Sequence, residues 1–151
     1  MNKIKETLYQ LCLDFIEQRI QTAETALAQA REASNDDTKS SAGDKYETSR
    51  EMMQQDIDRN KRLLIDAQDN LKVLKAVEVR NAGKGIVHHG SLVYTNRGTF
   101  YISISAGQLQ ADGLTVFAVS PASPIGKLLL EKRKGDAFDF NGNSYLIEQV
   151  V

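Results

Sequence analysis

The chain has 151 residues, 41% hydrophobic and 26% charged: enough apolar material for a core, and too little length for a multidomain catalytic scaffold. Its 19 Lys and Arg nearly balance 20 Asp and Glu, so no global basic field exists to grip phosphates, and strong binding to free DNA is not expected. One cysteine, Cys12, cannot make an internal disulfide, and no apolar run approaches the ~18 residues of a membrane span, so a reducing cytoplasm is the expected compartment.

The chain changes character near Gly83. Residues 1–82 hold one glycine, no proline and 28 charged side chains, whereas the remaining 69 residues hold nine glycines, both prolines and 11 charges. In the first part Ile4, Leu8, Leu11 and Phe15, then Ile16, Ile20, Ala23, Leu27 and Ala30, recur at steps of three and four, which predicts one long amphipathic helix. The rhythm resumes as Tyr46, Met53, Ile57, Asn60, Leu64, Ala67, Leu71 and Leu74, a second helix with a near-heptad seam. Of Met52 and Met53 one must face outward, and Asn60 either fixes register inside the seam or sits one step off it. Between the helices, Ser34 to Asp44 is read as an eleven-residue loop of cap and turn chemistry. Two stripes joined by one loop imply an antiparallel hairpin of helices about 45 Å long, expected to protrude.

From Gly83 onward the period shifts to that of strands. SLVYTN, TFYISIS and LTVFAVS, separated by Asn96-Arg97-Gly98 and Asp112-Gly113, predict an antiparallel meander. Ser123 is placed to cap a helix with Pro124 at its first position, running to Lys134 with Gly135 as the stop. AFDF and SYLIEQVV flank Asn141-Gly142-Asn143 and predict a closing hairpin. The fold class is therefore α+β, with a coiled-coil hairpin over 1–80 and a small sheet domain with one short helix over 83–151. Cys12 is expected as a small buried hydrophobe, and His88 and His89, with no third ligand nearby, as structural residues rather than a metal site.

The order of these parts, the run from Val119 through Ser120-Pro121 and Ser123-Pro124-Ile125-Gly126-Lys127 to Gly135-Asp136, and the weaker echo of Ala30-Arg31-Glu32, Tyr46 and Arg50-Glu51 resemble the bacterial Gre transcript cleavage factors. The resemblance implies an FKBP-like C-terminal domain and an RNA polymerase partner, with the hairpin inserted into the secondary channel and indirectly contacting nascent RNA. It further implies docking through Ser120, Pro121, Pro124, Ile125, Gly126 and Lys127. Tip carboxylates would help the polymerase hold Mg²⁺ for cleavage of backtracked RNA, so the protein would be an accessory factor and not itself an enzyme.

The tip offers Asp36 and Asp37 for that Mg²⁺ role inside the polymerase complex, with Asp44 and Glu47 as weaker candidates. Counting forward from Arg31-Glu32 points to Asn35 and Thr38, and counting back from Tyr46 points to Lys39 and Ala42, so neither anchor lands on a carboxylate. Three alternatives stand beside cleavage: a channel-occupying regulator without it, a prolyl isomerase, and a chaperone. The aromatics of the second part have the spacing of strand core rather than an isomerase pocket, and the hairpin tip is polar where a chaperone clasp would be apolar.

Overall fold

The structure, a computed structural model, describes residues 3–37, 43–77 and 85–151, with the backbone alone described for 34–37 and 43–48. Helix α1 spans Lys3–Asp37 and α2 spans Gly43–Lys75. Neither contains proline, and the one glycine stands at the first residue of α2. Helical backbone covers both ends of the anticipated Ser34–Asp44 loop, since α1 continues through Asp37 and α2 begins at Gly43. Ser, Asn and Asp each cost only about 0.5–0.7 kcal/mol in a helix, and a nucleated helix propagates through such residues.

The chain forms two compact units, Ile16–Leu71 and Met1–Phe15 with Lys72–Val151. In the first, α1 buries Ile16, Ala23 and Leu27, and α2 buries Ile57, Asn60 and Ala67. Met53, Leu64 and Leu71 are half-buried between them, so α2 presents alternating steps of four and three throughout, the pattern of an antiparallel helical seam. Met53 faces the seam and Met52 is 63% exposed; Asn60, at 9%, lies inside the seam. Small residues at Ala23, Ala26 and Ala67 leave a half-open groove of about 420 Å³ beside Asn60 and Leu63.

The second unit is built on six strands: β1 Leu92–Thr95, β2 Gly98–Ile102, β3 Gly107–Ala111, β4 Leu114–Val119, β5 Ala137–Phe140 and β6 Asn143–Val150. They lie in the order β3-β4-β2-β1-β6-β5. The expected antiparallel meander needs correction: β2 and β4 are parallel, with Phe100 opposite Phe117, while the other pairings are antiparallel. The cause lies after Ile102. Buried Ser103, Ile104 and Ala106 carry the chain out by two strand positions before β3 begins, so β4 returns into the vacant slot in the direction of β2. The GQLQA run of β3 has too few β-branched or aromatic residues to have signalled a strand. The Asp112-Gly113 and Asn141-Gly142 pairs have positive φ at both residues, as two-residue primed turns require; the second closes the β5–β6 hairpin as anticipated, whereas the first closes a β3–β4 hairpin whose first strand was not expected.

One sheet face carries a core of Val87, Val93, Phe100, Ile102, Leu129, Phe138 and Ile147. Leu129 comes from α3, Pro124–Leu129, which is shorter than the expected run to Lys134. Leu130 leaves helical geometry and Glu131 takes a left-handed φ of 68°, because residues 131–133 turn to pair with Ile86 and Val87. Elsewhere in this unit, the Cys12 Sγ of α1 lies 3.5 Å from Ser103 Oγ, and Lys5 Nζ donates to Val151 O at 3.1 Å. The first turns of α1 are thereby part of the sheet unit, alongside fully buried Leu8. The compositional boundary near Gly83 falls on 78–84, outside the described residues.

Candidate functional site

The loop from Ser120 into α3 is ordered by the hydroxyls of Ser120 and Ser123. Ser123 Oγ donates to Ser120 O at 2.6 Å and accepts from Gly126 N at 3.1 Å, satisfying an otherwise orphaned N–H of the first helical turn. Ser123 N donates to the same Ser120 carbonyl at 3.0 Å, and Ala122 N donates to Ser120 Oγ at 3.0 Å. Pro124 starts the helix with φ already fixed. The turn leaves no room at Gly126, where an added Cβ would stand 2.0 Å from Ser120 O and 2.9 Å from Ser123 Oγ.

The docking candidates therefore fall into two groups. Pro124 and Lys127 are exposed, with Ser120 and Pro121 half-buried beside them. Ile125 is half-buried and packs against the sheet core, and Gly126 is buried. The six positions form one rigid turn, of which Pro124 and Lys127 present most surface.

Asp36 and Asp37 are the last two residues of α1, on helical backbone rather than in a loop, and Asp44 and Glu47 lie in the opening turns of α2. The side chains of all four lie outside the described residues, as do Thr38 to Ala42. Among the described residues, no group of three His, Cys, Asp or Glu side chains is gathered in metal-ligating fashion.

Cys12 is buried as anticipated, and burial pushes its thiol pKa up, which suppresses the reactive thiolate. Buried Tyr101 is likewise raised, chiefly by desolvation. His88 Nδ1 lies 3.0 Å from both Ile86 O and Ser91 Oγ, and its Nε2 is buried without a hydrogen-bond partner. His89 Nε2 reaches Ser103 O at 3.3 Å; burial lowers its pKa against the opposing pull of that bond. These contacts hold the histidines to the backbone around β1 and β2.

Lys5 escaped the sequence reading. It is 3% exposed, and burial lowers its pKa. The signal was present in the spacing Lys5, Leu8, Cys12, Ile16, which places the lysine on the apolar stripe of α1. No helix among the described residues is long and apolar enough to cross a membrane. Compared with known protein families and with curated proteins, the sequence matches none.

Proposed function

We propose that this protein is a cytoplasmic transcription elongation factor of the Gre type, which binds RNA polymerase through the Ser120–Lys127 turn and carries its helical hairpin into the secondary channel. The observation that carries the reading is the turn itself. A double-duty Ser123 hydroxyl and a glycine that tolerates no Cβ hold the Ser-Pro segment in one conformation, so a partner meets Pro124 and Lys127 at little entropic cost. The sequence order of helical hairpin, then sheet with one short helix, is consistent with it.

In this reading Asp36 and Asp37 supply carboxylate oxygens, the donors that hard Mg²⁺ prefers, to an ion shared with the polymerase. Such an ion would polarise the RNA phosphate and activate water. A second reading, a channel-occupying regulator without cleavage, is favoured by the offset of the acids from both sequence anchors and by the helical backbone at Asp36 and Asp37.

The test is capture by core RNA polymerase followed by RNA cleavage on a backtracked complex. Capture with cleavage supports the first reading, and capture without cleavage supports the second. Absence of capture, under conditions where a known cleavage factor binds, removes both.

A further inference from the structure

The two outer strands of the sheet are guarded differently. β5 is four residues long and carries Asp139, whose Oδ1 accepts from Ser144 Oγ at 2.8 Å. β3, Gly107–Ala111, is five residues of Gly-Gln-Leu-Gln-Ala with no charge and no proline. Its partner on the inner side is β4, and it ends the strand order. In an antiparallel strand alternate residues turn their N–H and C=O away from the partner, so β3 offers a row of backbone donors and acceptors. Natural sheets protect such an edge with Lys, Pro, a bulge or a cover, because it pairs with any suitable strand. β3 contains neither Lys nor Pro, and only Gly107 at its start departs from extended backbone, with a φ of 76°.

The sequence of β3 also names the strand that fits it. Paired antiparallel with its own copy about Leu109, it sets Gln108 opposite Gln110, Gly107 opposite Ala111 and Ala106 opposite Asp112. No like charges meet in that register. Gln108 and Gln110 are exposed and share one face, and Gln110 Nε2 already donates across the hairpin to Thr115 Oγ1 at 2.8 Å. A partner's glutamines would extend this amide row over the side of Phe117, which stands opposite Gln108 and is 38% exposed.

We infer that β3 is a self-recognition edge, through which two copies of the chain join their sheets by antiparallel β3–β3 pairing on a two-fold axis at Leu109. Such an isologous contact is closed and stops at two copies. A strand pair this short buries less than a standard stable interface, so the dimer is weak, with a dissociation constant on the order of 0.1 mM. The inference is independent of the polymerase reading, since it rests on the sheet edge alone.

Sedimentation equilibrium of the intact chain from about 10 µM to 1 mM tests it. Wild type should pass from monomer to dimer over that range and go no further. Gln108→Glu with Gln110→Glu faces carboxylates across the axis and should remain monomeric, as should Gln108→Lys with Gln110→Lys. Mixing the two variants should restore a dimer at least tenfold tighter than either alone, a rescue that misfolded variants would not give. Wild type that stays monomeric at 1 mM overturns the proposal, and so do variants that dimerise as wild type does or a mixture that shows no rescue.

Discussion

Gly126→Ala sets a helix preference against a steric limit. In an ordinary helix the change stabilises by about 1 kcal/mol, because alanine loses less backbone entropy than glycine. Here the new Cβ would lie 2.0 Å from Ser120 O, so the carbonyl must retreat by about 1 Å to reach even a tight contact. That carbonyl accepts from both Ser123 N and Ser123 Oγ, and the hydroxyl in turn caps Gly126 N. Two hydrogen bonds at about 1 kcal/mol each and a cap of similar worth are therefore at risk. The net effect should be a destabilisation of about 2 kcal/mol, or a fall in melting temperature of roughly 4–8 °C for a chain of this length. Urea unfolding of wild type, Gly126→Ala, Ser123→Ala and the double variant measures it. The double variant should fall well short of the sum of the singles, because both act on the same cap. A Gly126→Ala protein as stable as wild type, or effects that add, would refute the argument that this turn is locked through Ser120 O.

Ile125→Asp should destabilise the sheet unit by roughly 2–3 kcal/mol in thermal melts, since Ile125 packs on the core; the exposed Lys127→Glu should leave stability within about 0.5 kcal/mol and, on the proposed function, weaken polymerase capture. Asp36→Ala with Asp37→Ala should abolish any stimulated cleavage while leaving capture intact, read from gels of backtracked complexes. Cys12, raised by burial, stays protonated in the folded chain above about pH 8.5 while the unfolded chain ionises, so stability is present below that pH and is lost as pH rises toward the folded value; Cys12→Ala should flatten this part of a stability–pH curve. His89 has the opposite sign. Its lowered value means stability is present above about pH 6.5 and lost as pH falls toward the folded value, a loss that His89→Gln should remove in acid titrations of unfolding.

The α+β division was readable because the two halves differ in glycine, proline and charge, and the seam from Met53 to Leu74 because its period is near 3.5. The Asn-Gly and Asp-Gly turns were equally plain, since positive φ leaves few residue choices. The parallel β2–β4 pairing was not readable. It depends on where the chain goes after Ile102, and a strand pattern alone does not distinguish return beside the neighbour from return one position beyond it. The end of α3 was misplaced because Leu130 to Lys134 has good helix formers, yet its backbone is claimed by pairing with Ile86 and Val87. For the candidate site, Ser123 and Pro124 announced their capping roles. Gly126 stood in the resemblance as a docking residue, and only the 2.0 Å approach to Ser120 O gives it a packing role.

The position of β6 sets an order on the birth of this fold. It lies between β1 and β5, so the C-terminal-most strand fills an interior slot rather than extending a finished sheet. During synthesis from the N-terminus, the unit Ile16–Leu71 has all its residues available while β1 still awaits a strand more than 45 residues downstream. Helix pairing involves local contacts and can proceed early, whereas closing the sheet is a late, long-range step. A ribosome paused after Phe140 would hold a nascent chain whose β1 and β5 both lack the strand that joins them. Prematurely terminated products of this length should be the species that chaperones retain and proteases remove.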